Sequence, residues 1–188
     1  MSPIEALAAA LILVNVWLVA QRSIWNYAFG LAGVALVGWV VFDAKLYSDM
    51  LLQAFFFVLQ FYGWWQWSRS RALNGDVVVE TLGPAARIGW AGLVIVATLG
   101  WGWVMHRFTD AALPFLDALV AMISIAAQIL LSQRKVENWP LWILANGLSI
   151  WLYGAKHLWA FMGVYILLLA LSVWGLAKWR AAGQSVAA

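Results

Sequence analysis

The sequence contains no cysteine among its 188 residues, and only 10% of its residues are charged. The absence of cysteine excludes disulfides, thiolate nucleophiles and thiolate metal sites. An ordinary soluble domain has about 25% charged residues, whereas this chain is 65% hydrophobic and has a mean hydropathy of +0.86. The composition therefore indicates a protein that is surrounded mainly by lipid.

Basic residues exceed acidic ones, which gives a pI of about 9.5. In a soluble protein this excess would suggest a nucleic-acid partner. Here the lysines and arginines stand in short segments between apolar runs, so we expect no nucleic-acid partner. The first 22 residues lack the basic region and the small-residue cleavage site of a secretory signal, and we expect them to form a retained first helix.

Seven apolar runs are long enough to cross a membrane. A spanning helix needs about 20 mostly apolar residues to cross a hydrocarbon core of about 30 Å. The predicted spans cover residues 3–20, 25–43, 48–67, 87–105, 113–132, 138–155 and 159–177. The sequence therefore predicts an all-α integral membrane protein with seven transmembrane helices.

The basic residues predict how these helices are oriented. Eight of them fall on the side that holds the carboxyl terminus and the loops after helices 1, 3 and 5. The opposite side holds three, namely Lys45, Arg107 and Lys156. Because basic residues are enriched on the cytoplasmic side, we expect the amino terminus outside the cell and the carboxyl terminus in the cytoplasm.

The chain also resembles itself at an offset of 112 residues, where 21–67 aligns with 133–179 without a gap. The informative identities are Gln21/Gln133, Arg22/Arg134, Asn26/Asn138, Gly63/Gly175 and Trp67/Trp179. Two three-helix units can share one orientation only if an odd number of spans separates them, and helix 4 supplies that span. We therefore predict a 3+1+3 parallel pseudo-repeat, an arrangement that secondary transporters use to bind substrate between the halves. Its parts are a first bundle at 1–67, a connecting loop with linker helix 4 at 68–112, and a second bundle with a short cytoplasmic tail at 113–188.

Ionisable side chains are missing from the middle of the predicted spans. All eight acidic residues and both histidines lie in loops or near helix ends. Enzymes need a positioned acid, base or nucleophile, and the two histidines fit no metal-site spacing. We therefore expect no catalytic residue, no metal and no cofactor. A coupled pump commonly keeps an ionisable group inside the membrane, so the pattern favours facilitated diffusion.

Neutral polar and aromatic residues occupy the spans instead. In predicted helix 6, Trp139, Trp142, Asn146, Ser149 and Tyr153 recur at steps of three and four and so share one face. Helix 5 contributes Gln128, and helix 3 contributes Gln53 and Gln60. An amide that faces hydrocarbon would cost several kcal/mol, so we expect these faces to point inward.

Such a lining suits a flat, hydroxylated ligand that is neutral or cationic, because aromatic faces stack on planar rings and attract cations. Asn and Gln both donate and accept hydrogen bonds. Two alternatives remain open at this point. Trp139 also suits an interfacial aromatic belt, and the amides also suit hydrogen bonds that tie helices together.

Four stretches together resemble the PnuC family of vitamin transporters. They are "NYAFG" (26–30), "LYSDMLLQAFFFVLQFYGWWQWSR" (46–69), "PFLDA" (114–118) and "RKVENWPLWILANGLSIWLY" (134–153). The resemblance implies a 3+1+3 architecture related to the SWEET sugar transporters, located in the bacterial inner membrane with a periplasmic amino terminus. It also implies facilitated diffusion of a vitamin precursor, chiefly nicotinamide riboside, which a cytoplasmic kinase then traps by phosphorylation. The substrate-binding role carries over to Gln53, Gln60, Gln128, Trp139, Trp142 and Asn146.

Other functions fit the same residues. One subfamily that resembles the chain almost as well moves thiamine, which is another planar aromatic cation with a hydroxyl group. A membrane assembly or sensor protein, in which the Trp and Gln faces only pack helices, is a third hypothesis. The expected partners are the vitamin and the lipid bilayer, and a homo-oligomer is compatible with the sequence.

Overall fold

The computed structural model describes residues 2–43, 47–109, 113–155 and 157–185. Within these residues the chain forms seven α-helices, which confirms the predicted all-α membrane fold. The helices are α1 (Pro3–Ala20), α2 (Asn26–Asp43), α3 (Tyr47–Asn74), α4 (Pro84–Phe108), α5 (Pro114–Ser132), α6 (Asn138–Ala155) and α7 (Trp159–Ser185). Lys45, Lys156 and the predicted boundary at residue 112 lie outside the described residues.

Several helix boundaries follow from local sequence. Proline lies in the first turn of α1, α4 and α5, where its missing N–H costs nothing. The start of α1 is a capping box, in which the Ser2 N–H donates to Glu5 Oε2 at 2.7 Å and the Glu5 N–H donates to Ser2 Oγ at 3.2 Å. At the other end of α3, Gly75 has φ +75° and its N–H donates to the carbonyl of Arg71, as glycines that end helices do.

Three helices are longer than the sequence predicts. The predicted end of helix 3 at residue 67 is seven residues short, because α3 continues through Arg69 and Arg71 to Asn74. Helix α4 begins three residues earlier and ends three residues later than predicted, and α7 continues to Ser185. Charged residues mark where a helix leaves lipid, but they do not stop a helix from continuing into water.

Four helices, α1, α4, α5 and α7, are long and apolar enough to cross a membrane by length and composition alone. Helix α2 contributes a shorter apolar stretch, Asn26–Val40. Helices α3 and α6, which carry most of the predicted lining, are not among the four.

The helix contacts are compatible with the predicted repeat. Helix α2 packs against α1 and α3, and α6 packs in the same way against α5 and α7. The two halves meet where α1 packs against α7 and where α3 packs against α5, which are equivalent pairs at the 112-residue offset. Among the described residues α4 packs against α5 alone, as expected of a linker helix.

Candidate functional site

Two tryptophans join the halves at one end of the bundle. The indole N–H of Trp67 donates to the carbonyl of Leu131 at 3.1 Å, and that of Trp179 donates to the carbonyl of Val19 at 3.0 Å. Both the donors and the acceptors are related by the 112-residue offset. Each half therefore receives one buried hydrogen bond from the other at this end.

The same tryptophans belong to a cluster of four buried rings, which we call the ring cluster: Tyr27, Trp67, Trp139 and Trp179. Tyr27 packs edge-to-face on Trp67 at 5.4 Å between ring centroids, and Trp139 packs edge-to-face on Trp179 at 5.5 Å. Trp67 and Trp179 lie 5.7 Å apart. All four side chains are fully buried, so the ring cluster closes this end of the interface between the halves.

Two equivalent glycines make room for the ring cluster. A Cβ atom added at Gly63 would lie 2.5 Å from the Tyr27 hydroxyl, and one added at Gly175 would overlap the ring of Trp139. Each glycine lies one turn before a tryptophan of the cluster. The Gly and Trp identities of the repeat thus have a packing explanation.

A segment between α3 and α4 covers the ring cluster; we call residues 76–80 the plug. Arg22 and Arg134 both have left-handed backbone conformations, with φ of 59° and 60°. From these turns the Arg22 guanidinium donates to the carbonyl of Val77 at 3.0 Å, and the Arg134 guanidinium donates to that of Val78 at 3.0 Å. Val77 is fully buried and belongs to the same hydrophobic core as the ring cluster.

Ion pairs hold both ends of the plug. Arg22 pairs with Asp76 at 2.9 Å, and Arg134 pairs with Glu80 at 2.9 Å. Lys135 also binds Glu80, and this hydrogen bond is the main cause that lowers the pKa of the Glu80 carboxyl below its ordinary value. Glu80 is tied through its backbone as well, because its N–H donates to the carbonyl of Arg134 at 3.0 Å.

The six predicted substrate-binding residues differ in burial. Gln60, Gln128, Trp139 and Asn146 are at most 8% exposed, whereas Gln53 and Trp142 are partly buried. The predicted inward orientation thus holds for the four buried side chains. Their role in binding stays a prediction.

Trp139 lies in the ring cluster, against Gly175 and Trp179. It is therefore part of the packed end of the bundle rather than of an exposed aromatic belt. Its indole N–H has no hydrogen-bond partner within the described residues. Trp142, one turn later on α6, packs against the outside of the same core.

Three of the predicted amides contact helices α2 and α7. The Asn146 amide N–H donates to Ser172 Oγ on α7 at 3.1 Å, and the Ser172 hydroxyl donates to the carbonyl of Leu168 at 2.7 Å. Gln60 lies against Gly30 of α2, and Gln53 packs near Gly38 of the same helix. The amides of α3 therefore lie against α2, and the amide of α6 lies against α7.

Sequence reasoning missed three polar residues in this region: Asn15, which meets Gln60 at Gly30; Ser172, which accepts from Asn146; and Tyr165. The repeat could have found two of them, because Ser172 is the counterpart of Gln60 and Tyr165 is the counterpart of Gln53. Tyr165 stacks on Tyr153 at 5.1 Å between ring centroids. Asn15 could have been noticed as the single amide within the apolar run of the first helix.

Two surface cavities lie among the described residues of α3, the plug and α4. A polar cavity of about 330 Å³ lies on the outer side of the plug and is lined by Gln66, Arg69, Ser70, Leu73, Asn74, Val78, Glu80 and Arg134. An apolar cavity of about 260 Å³ lies on α4 and is lined by Ala86, Gly89, Trp90 and Leu93. Neither of these two cavities is lined by a predicted substrate-binding residue.

Comparison with known proteins shows the family to which the chain belongs. The model of the family described as nicotinamide mononucleotide transporter matches residues 2–181. The chain belongs to this family. This membership confirms the resemblance to the PnuC transporters. The family consists of multi-pass membrane transporters and not of enzymes.

Individual members are similar to the chain over most of its length. The nicotinamide riboside transporter PnuC of Escherichia coli K12 is 30% identical over 204 residues, covering 95% of this chain and 85% of the relative. The transporter of the same name from Neisseria mucosa is 31% identical over 189 residues, covering 94% and 71%. The riboflavin/roseoflavin transporter RibM of Streptomyces davaonensis is 29% identical over 164 residues, covering 85% and 76%.

A solved structure supports the same family. The crystal structure of the vitamin B3 transporter PnuC is 27% identical and superposes with a TM-score of 0.81, covering 97% of this chain and 82% of its own. The seven-helix arrangement described above is therefore that of the family.

Proposed function

We propose that this protein is a facilitative transporter of nicotinamide riboside in the bacterial inner membrane. The observation that carries the proposal is the similarity, over nearly the whole chain, to transporters named for this vitamin at 30% and 31% identity. The buried amides and tryptophans support it, since they supply the stacking surface and the hydrogen bonds that a ribosylated aromatic cation needs.

We assign the contacts as follows. Trp142 stacks on the pyridinium ring, because its side chain is accessible at the edge of the packed core. Gln60, Gln128 and Asn146 bind polar groups of the vitamin through their buried amides. Gln60 Oε1 has no hydrogen-bond partner among the described residues, as expected of an atom that a polar ligand satisfies. The remaining two residues of the proposed binding set are Gln53, which lies on α3, and Trp139, which lies in the ring cluster.

Facilitated diffusion is supported by the chemistry of the buried side chains. Within the described residues, every buried polar side chain is a neutral Asn, Gln, Ser or Thr. Ion-coupled transporters commonly place an ionisable group in the membrane and couple its charge to motion. In our proposal the concentration gradient of the vitamin drives its entry into the cell. Phosphorylation of the vitamin in the cytoplasm then prevents its exit.

The end of the bundle with the plug is the cytoplasmic end in this proposal. Arg22, Arg87, Arg134 and Lys135 all form ion pairs there. Basic residues are enriched on the cytoplasmic side of membrane proteins. The amino terminus is then periplasmic, and a cysteine introduced at Ser2 should react with an impermeant maleimide in intact spheroplasts.

Flux through the purified protein tests the proposal. Proteoliposomes should equilibrate labelled nicotinamide riboside faster than empty liposomes without any ion gradient, and an uncoupler should not change the final level. Accumulation above equilibrium that collapses with the uncoupler would contradict diffusion. Uptake no faster than in empty liposomes would contradict the substrate.

A second candidate substrate is another vitamin of the same general shape. The relative named for riboflavin, at 29% identity, shows that proteins this similar to the chain carry names for different vitamins. Thiamine also combines a flat cation with a hydroxyl group and would use the same stacking and amide contacts. Unlabelled thiamine or riboflavin that inhibits uptake more strongly than unlabelled riboside would favour the second candidate.

A further inference from the structure

Two amides converge on one glycine in the first half of the bundle. A Cβ atom added at Gly30 of α2 would lie 2.6 Å from Gln60 Nε2 of α3 and 2.8 Å from Asn15 Nδ2 of α1. Asn15 Nδ2 also donates to the carbonyl of Asn26 at 2.7 Å, which fixes this amide between α1 and α2. A side chain at position 30 would displace both amides.

One atom of this group is left without a partner. Gln60 is 5% exposed, and its Oε1 accepts no hydrogen bond from the described residues. Buried polar atoms in native proteins are nearly always hydrogen-bonded, so such an atom needs an explanation. A ligand hydroxyl that donates to Gln60 Oε1 would provide it.

The second half has no equivalent of this group. The counterparts of Asn15, Gly30 and Gln60 at the 112-residue offset are Ala127, Trp142 and Ser172. The first half therefore has two amides that meet at a glycine, whereas the second half has a large ring and two small residues at the equivalent positions. A ligand with one flat end and one hydroxylated end can satisfy both sides in a single orientation.

We propose that Asn15 is a further specificity-determining residue, and that Asn15 and Gln60 form an amide subsite for the sugar hydroxyls of the ligand. This inference rests on the proposed function. The ring of the riboside stacks on Trp142, and its ribose points toward α1 and α3. One ribose hydroxyl donates to Gln60 Oε1, and a neighbouring hydroxyl accepts from the Asn15 amide, which has a second N–H beside the one that binds Asn26.

Calorimetry on the purified full-length protein tests the subsite with three ligands: nicotinamide riboside and its 2′-deoxy and 3′-deoxy analogues. Asn15→Ala should weaken riboside binding about tenfold, which corresponds to about 1.4 kcal/mol. It should weaken binding of at least one deoxy analogue less than about twofold, because that analogue lacks the hydroxyl that Asn15 binds. A residue that only holds helices together would weaken all three ligands by the same factor.

Gly30→Ala provides a second route to the same question. The added methyl group meets the ends of two flexible side chains, so the variant should fold while the amides are displaced, and its riboside affinity should fall. Gly92→Ala on α4 is the matched control, since its added methyl group would meet nothing within 4 Å, and it should bind like the wild type.

The outcomes separate the two proposals. Wild-type protein that binds no riboside overturns the proposed function together with the subsite. Wild-type binding that Asn15→Ala and Gly30→Ala leave unchanged, or an equal loss for all three ligands, overturns the subsite alone.

Discussion

Replacing Gly175 by alanine should destabilise the protein, although alanine is the better helix former. The new methyl group would overlap the ring of Trp139, which is fully buried and held edge-to-face by Trp179. Overpacking of this kind costs about 1–3 kcal/mol, and a rigid ring that cannot move aside favours the upper part of that range. The gain in helix propensity offsets about 1 kcal/mol, so we expect a net loss of about 1–2 kcal/mol.

Gly163→Ala is a control on the same helix. A Cβ atom added at Gly163 would meet nothing within 4 Å, so this variant keeps the gain in helix propensity without the overlap. We expect it to be more stable than the wild type by up to about 1 kcal/mol. The two alanine variants should therefore differ by about 2–3 kcal/mol, even though their chemistry is identical.

Equilibrium unfolding in mixed micelles, followed by far-UV circular dichroism, measures both variants against the wild type. Gly63→Ala should behave like Gly175→Ala, because its added methyl group would lie 2.5 Å from the Tyr27 hydroxyl. If Gly175→Ala proves as stable as Gly163→Ala, the ring cluster is not the rigid closure that we describe.

The remaining predictions concern the plug end and the binding site. Trp179→Phe keeps a ring but removes the indole donor from the Val19 carbonyl, which still accepts from the Arg22 N–H, and should lower the unfolding free energy by about 0.5–1.5 kcal/mol. The ion pairs lower the folded pKa of Glu80, so its stabilising effect is present above its unfolded pKa of about 4.3 and is lost as pH falls through the folded value. The gap in melting temperature between the wild type and Glu80→Gln should therefore be larger at pH 7 than below about pH 4. Asn146→Leu should lower riboside affinity by about fivefold or more in calorimetry, because a binding site that loses a buried hydrogen bond loses about 1–3 kcal/mol, whereas unchanged affinity would remove Asn146 from the site.

The helices could be predicted from the sequence because charge and hydropathy report where the chain leaves lipid. All seven were found, and the error at the end of α3 has a simple cause. Arg69 and Arg71 are charged, but their side chains reach water while the backbone continues as a helix to Asn74. Charged residues in the sequence indicate where the chain leaves the membrane, but they do not indicate where the helix ends.

The repeat carried information about packing rather than about binding. Its identical pairs include Arg22/Arg134 and Trp67/Trp179, and the structure uses these residues for the ring cluster and the plug contacts. The positions proposed to bind the vitamin differ between the halves. Two similar bundles need the same residues where they meet, and different residues where they face an asymmetric ligand.

The plug could not have been predicted from local sequence. Residues 76–80 lie in the connection between α3 and α4, and three consecutive valines in a loop indicate nothing about burial. Val77 is buried because Arg22 and Arg134, which are far apart in the sequence, both bind the backbone of this segment. Such long-range contacts become visible only when the halves are assembled.

Direct binding tests the central claim, that neutral amides and tryptophans between the two halves hold the vitamin. Calorimetric titration of the purified wild-type protein and of Trp142→Leu with nicotinamide riboside measures it. The account predicts saturable binding of one riboside per chain to the wild type, and an affinity about 5- to 30-fold lower for Trp142→Leu, since aromatic stacking and cation–π contacts are worth about 1–2 kcal/mol. Equal affinities for the two proteins, or no binding of riboside by the wild type, would contradict it.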